Sequence, residues 1–264
     1  MEKQKITFKK NGAVGWIVLS YPTTGVFADI LLADTLREIC SVISFDDSIR
    51  IVIITCEKDL LSFQTCQSSI TAQYGNAGTA PHRLDTVLPQ LQLANSVASL
   101  EKPTIIAING DAKGQGLELA LACDIRIGTA VSQYSIPHIK DNLMPWDGGT
   151  QRLPRIIGFS RALELLMTGR DVDAQEALQF GLVHQIVDEN ALLQRASDLA
   201  SKIASQAPIA VRYTKELLLK GMDMNLDSGL RLEADLNVIL QSTTDRAEGI
   251  ASFLERRDPD FQGR

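Results

Sequence analysis

One stretch constrains this chain more than any other: Pro103 to Gly128, PTIIAINGDAKGQGLELALACDIRIG. Thr104–Ile108 is a continuous apolar run, the pattern of a strand covered on both faces. Asn109-Gly110 is a turn pair, and a short polar loop then leads to Gly114-Gln115-Gly116. LELALAC follows, apolar except for Glu118, and reads as a helix. Asp124 ends that run and IRI opens a second strand. A strand, a glycine turn, a helix and a strand in so short a span point to an α/β layer fold.

The glycine turn also carries chemistry. Gly114 and Gly116 can adopt backbone angles that side chains disfavour. The first amides of a helix lack intrahelical partners and sit at the positive end of its dipole. An oxygen that gains charge during a reaction can be held there by backbone alone. Glu118 lies half a turn further in, and a carboxylate in an apolar helix should have a raised pKa, which suits a general base. The bland alternative is a close-packed crossover. A nucleotide-phosphate loop is disfavoured, because neither G-x-G-x-x-G nor a Gly-Lys-Ser/Thr ending is present.

With 264 residues, the chain is long enough for one large domain or a domain with an appendage. Its net charge of -6 disfavours nucleic acid as a partner but leaves room for an anionic ligand held by local Lys and Arg. Cys40, Cys56 and Cys123 lie in apolar runs and read as core residues, and Cys66 lies in a polar segment. Their spacing suggests neither a zinc site nor a disulfide framework. The polar N-terminus has no signal-peptide core, and no apolar run reaches the ~20 residues a membrane helix needs. The expectation is a cytoplasmic protein with no membrane association.

In chain order, a hairpin is predicted around Asn11-Gly12, then a helix over Asp34–Ser44 and a buried strand over Ile51–Thr55. Glu57–Pro81 reads as a long irregular loop of functional character. A helix is expected over Asp85–Leu100, a short strand over Ser132–Ile136, and helices over Thr150–Ile157, Arg161–Thr168 and Asp173–Phe180. A last strand, Val183–Val187, precedes four helices: Leu192–Ser205, Pro208–Leu219, Leu226–Gln241 and Arg246–Glu255. The expected division is a core over residues 1–190 and a helical region over 191–264. His82 and His184 read as structural.

KPTIIAINGDAKGQGLELALACDIRIG resembles the signature of the enoyl-CoA hydratase/isomerase (crotonase) superfamily. DGGTQRLPRIIG from Asp147, RALELLMTGRDVDAQEALQFGLVHQIV from Arg161 and EGIASFLERRDPDF from Glu248 resemble further blocks of the family, in the same order. The resemblance implies a crotonase-like ββα spiral core whose C-terminal helical region assembles trimers or a dimer of trimers. It implies a CoA thioester as substrate, with no metal and no cofactor beyond coenzyme A as part of that substrate. The thioester carbonyl would sit between two backbone amides, here those of Thr65 and Gln115. Phe63, Gly114, Gly116, Trp146 and Arg256 are the implied substrate-binding positions. Phe63-Gln64-Thr65-Cys66-Gln67-Ser68 departs from the family pattern after Phe63, and Gln115 replaces a customary glycine, where it either occludes the pocket, adds a side-chain amide or lies on the surface.

Glu118 aligns with the first of two hydratase glutamates. The second follows a proline in the family, whereas this chain has Pro137-His138, so His138 is either a proton-transfer group or a loop residue. Trp146-Asp147-Gly148-Gly149 stands where simple hydratases of the family have Gly-Ala-Gly-Gly, and an aspartate near this place carries chemistry in related isomerases, dehalogenases and synthases. Asp147 reads either as an ionised catalytic group or as the N-cap of the helix that follows. Trp146 either lines an acyl pocket or packs, and Arg256 with Arg257 either meets CoA phosphates or forms a solvated pair. Hydration of a 2-enoyl-CoA is the base expectation. Isomerisation, hydration or ring opening of a dienoyl or alicyclic acyl-CoA through Glu118 and Asp147 is the alternative, and a non-catalytic acyl-CoA-binding scaffold is the third reading.

Overall fold

A computed structural model describes residues 6–20, 30–57, 60–63 and 88–264. The hairpin is present as β1 (Ile6–Asn11) and β2 (Val14–Leu19), antiparallel with Asn11 opposite Val14. Helix α1 (Ile30–Phe45) begins a turn earlier than its apolar spacing predicts. Strand β3 (Ile51–Cys56) is buried at every position, as a strand covered on both faces requires. It is followed by β4 (Leu60–Phe63), a strand within the stretch that reads as irregular loop in sequence.

The predicted helix over Asp85–Leu100 is corrected. Its described part is a 3-10 turn at Leu88–Leu91 and a short helix, α2 (Ala94–Ala98). The break falls where the amides of Leu93 and Ala94 turn to a carboxylate from elsewhere in the chain, that of Asp147. Strand β5 (Thr104–Ala107) leads to β6 (Asp111–Gly114), a second strand that reads as polar loop in sequence, and then to α3 (Gln115–Ala122). β7 (Ile125–Thr129) and β8 (Gln133–Ser135) follow.

Helix α4 (Gly149–Ile157) and α5 (Phe159–Thr168) come next. Then come β9 (Val172–Asp173), α6 (Ala174–Phe180) and β10 (Gln185–Val187). Four helices complete the chain: α7 (Leu192–Ala204), α8 (Pro208–Gly221), α9 (Leu226–Gln241) and α10 (Thr244–Glu255).

The strands form two sheets, ordered β1-β2-β3-β5-β7-β10 and β4-β6-β8-β9. From β3 onward the chain alternates between them: β3, β5 and β7 enter the larger sheet, and β4, β6 and β8 enter the smaller one. A helix follows each pair, which is the expected ββα spiral. β4 runs parallel to β6 and places Phe63 opposite Gly114. The short polar strands β4 and β6 are thus defined by pairing with each other, not by hydrophobic period.

Between helices and sheets lies one large core that includes Leu36, Ile54, Ile106, Leu119 and Tyr134. A second core lies under α7. Ala196, Ala200 and Ala204 recur every fourth residue and let that helix settle on Ile51, Ile53, Ile105 and Ile127 of the larger sheet. The first helix beyond residue 190 therefore belongs to the packing of the sheet core.

Candidate active site

The site is built on the β6-to-α3 turn. Gly114 ends β6 with φ 59 and ψ -131, a left-handed conformation open to glycine, and hands the chain to Gln115 at the start of α3. Glu118 lies in the first turn of that helix and is wholly buried. Its Oε1 accepts two backbone amides from another segment, Asp147 N at 2.9 Å and Gly149 N at 2.8 Å. Gly149 permits that approach, because a Cβ there would stand 3.0 Å from the same oxygen. Glu118 Oε2 has no hydrogen-bond partner among the described residues.

His138 faces that oxygen. It lies in the 3-10 turn Pro137–Asp141, is buried, and places Nε2 3.7 Å from Glu118 Oε2. Neither of its ring nitrogens has a hydrogen-bond partner among the described residues. Its ring meets Trp146 edge-on, with centroids 4.8 Å apart and planes at 89°. Glu118, His138 and Trp146 are thus brought together.

Burial pushes the Glu118 carboxyl up to about 7; the Asp147 charge adds to that rise, and the Gly149 and Asp147 amides oppose it. The direction is the one expected from its apolar neighbours. Burial pushes His138 down to about 4, against the pull of Asp141. The imidazole is therefore neutral near neutral pH, and Glu118 is the member of this buried pair that titrates there.

Asp147 requires a correction. It is wholly buried and does not cap the helix that follows it, since Gly148 takes the N-cap of α4 without a side-chain bond. Its Oδ2 instead accepts from Leu93 N at 2.7 Å, Ala94 N at 3.0 Å and Gln115 Nε2 at 2.9 Å. Burial raises its pKa against those bonds, opposite to the direction expected for a carboxylate at a helix N-terminus. Gln115 is corrected from a possible surface residue to a buried one, its side-chain amide also donating to Leu91 O at 2.6 Å.

Thr65 and Cys66 lie outside the described residues, as does His82. Phe63, the last residue of β4, pairs opposite Gly114, the residue that precedes α3. Arg256 ends α10 in a left-handed conformation and is exposed, and among the described residues nothing ties it to Glu118, His138 or Asp147. Arg257 is held by Glu248 at 2.9 Å. His184 accepts a hydrogen bond from Arg126 N at 3.1 Å, the structural role expected of it.

Sequence reasoning missed Gly149 as a holder of Glu118, and it missed Arg152. That residue donates to Asp147 O at 2.8 Å and to Asn95 Oδ1 at 3.0 Å. The Gly148-Gly149 pair was the available signal for the first. A groove of about 880 Å³ lies at the C-terminal end of α3, lined by Leu121, Arg152, Ile203, Val211 and Leu218 and not by Glu118, His138 or Asp147.

A buried acid beside a glycine-opened helix, in a fold of two spiralling sheets, is the arrangement that the family resemblance implies, and comparison with known proteins agrees. The enoyl-CoA hydratase/isomerase family profile matches residues 9–264. An (E)-benzylidenesuccinyl-CoA hydratase of Thauera aromatica is 35% identical over 260 residues, covering 98% of this chain and 99% of that one. A short-chain-enoyl-CoA hydratase of Clostridium acetobutylicum is 31% identical, covering 97% of each. The crystal structure of an enoyl-CoA hydratase from Bacillus anthracis superposes with a TM-score of 0.89 at 34% identity, over 99% of this chain and 100% of that one. The chain belongs to the enoyl-CoA hydratase/isomerase family, and it is an acyl-CoA enzyme of the hydratase class.

Proposed function

We propose that the protein adds water across the 2,3 double bond of a 2-enoyl-CoA, with Glu118 as the single acid–base group. Glu118 takes a proton from water as the water oxygen bonds to C3. The electron pair moves to the thioester oxygen, where the amides of Gln115 and Thr65 stabilise it. The enolate then collapses and takes the same proton from Glu118 at C2. Neutral His138 orients the water through a ring nitrogen. The observation that carries this reading is the asymmetry of Glu118: Oε1 is fixed by two amides, while Oε2 has no hydrogen-bond partner among the described residues and faces His138. A proton affinity near neutrality is what a group that both accepts and returns a proton needs.

The alternative is a dienoyl or alicyclic acyl-CoA reaction with Asp147 as base: three donors hold its Oδ2, while its Oδ1, like Glu118 Oε2, has no hydrogen-bond partner among the described residues, so the choice of substrate separates the two readings. The non-catalytic reading leaves the cost of a buried Glu118 carboxylate without a purpose. The deciding experiment is an acyl-CoA panel assayed with wild type and Glu118→Gln. Turnover of crotonyl-CoA, lost in Glu118→Gln, is expected. Turnover of cyclic dienoyl-CoA alone would overturn the reading. Because backbone amides supply the polarisation, activity should survive EDTA. Loss restored by a divalent ion would count against that.

A further inference from the structure

Gln115 and Asp147 depart from the family pattern at two places far apart in sequence, and they meet in the structure. Gln115 Nε2 donates to Asp147 Oδ2 at 2.9 Å and to Leu91 O at 2.6 Å. The same Oδ2 accepts from Leu93 N and Ala94 N. Asp147 N donates to Glu118 Oε1 at 2.9 Å, and Arg152 Nη1 donates to Asp147 O at 2.8 Å. One residue therefore joins the first residue of α3, the start of α2 and the loop that grips Glu118.

We propose that Gln115 and Asp147 form a buried strut that fixes the amide-bearing start of α3 relative to the carboxylate of Glu118, with Asp147 acting as a positioning residue and not as a second base. This rests on Glu118 being the base of the hydration. Two physical consequences follow. The three donors on Asp147 Oδ2 favour its anion, and burial, the larger effect, opposes them and raises its pKa. Its charge also sits beside Glu118 and favours a protonated Glu118. The other groups that face Glu118 are His138 from the 3-10 turn and Arg152 from α4, the latter acting in the opposite sense. The two departures from the family pattern therefore meet in one buried contact, which Leu91 O extends on the Gln115 side and the Leu93 and Ala94 amides extend on the Asp147 side.

The test is the pH profile of kcat/KM for crotonyl-CoA in Asp147→Asn, which keeps shape and removes charge. Because Glu118 acts deprotonated, activity rises with pH through its pKa. Loss of the neighbouring charge lowers that pKa, so the rising limb should move to lower pH, and the ratio of activity at pH 6 to that at pH 8 should grow about threefold or more. A fall in kcat of about 100-fold at every pH, the mark of a lost acid–base group, would overturn the proposal. An unmoved limb with a lowered melting temperature would overturn it equally. Should Asp147→Asn prevent folding, Gln115→Met carries the test, since it keeps every charge and removes the strut. Its kcat should fall about tenfold or more while the Kd for butyryl-CoA, a saturated thioester, stays within about threefold. An unchanged kcat would overturn the strut. Glu118→Gln separates the two readings: if it is fully active, the base assignment falls; if it is inactive while the Asp147→Asn limb is unmoved, the strut alone falls.

Discussion

Glu118 is kept inside the protein at a cost in stability, and the sign of that cost can be worked out. Its folded pKa is raised to about 7, so the folded state binds the proton more tightly than the unfolded chain does. Stability is lost as pH rises from the ordinary glutamate range to about 7, and the full cost is present above that. Glu118→Gln removes the titration and can still accept the two amides through its carbonyl. The variant should therefore gain melting temperature over wild type at pH 8 and gain less at pH 5. The difference is on the order of 3 kcal/mol at ~1.36 kcal/mol per pKa unit. Equal gains at both pH values would refute the buried-carboxylate account. His138 works in the other direction: with its pKa pushed down to about 4, the unfolded chain binds the proton more readily, and stability should fall as pH drops through the range between ordinary histidine and that value.

At the scale of elements, the helix expected over Asp173–Phe180 is present with Asp173 as its N-cap, a local contact. Asp173 accepts from Glu176 N at 2.8 Å and opens α6 three residues earlier in the chain. Asp173→Ala should cost about 1 kcal/mol in urea unfolding with activity per folded molecule unchanged; a loss below a few tenths would show that the cap contributes nothing. Asp147 looked like the same kind of residue, an aspartate before a helix, yet its carboxylate goes to Leu93 and Ala94, 54 and 53 residues away. Periodicity cannot report such a contact. The same limit explains the split of the expected helix over Asp85–Leu100 and the missed strands β4 and β6, whose polar residues are ordered by each other's backbone. What was legible was the apolar framework of β3, β5 and the last four helices, together with Glu118 and its raised proton affinity. Their signals are periodic or sit within one helix. The partners of Glu118 were not legible, because backbone amides carry no side-chain signature.

For the whole molecule, the outer faces of α8 to α10 carry Leu218, Leu219, Met222, Leu226, Val238 and Phe253, each more than half exposed in the single chain. Apolar exposure on that scale marks an interface. A homotrimer or dimer of trimers is the expected assembly, read as mass by light scattering at micromolar concentration; a monomer would exclude it. Among the described residues no helix is long and apolar enough to cross a membrane. The grip of Asp147 N and Gly149 N on Glu118 has a consequence in time as well as in space. Local helix forms in microseconds, whereas contacts between distant segments wait for chain closure. In stopped-flow refolding from urea, far-ultraviolet ellipticity should therefore recover before turnover does, and the two recovering at the same rate would show that the loop docks as early as the helix it serves.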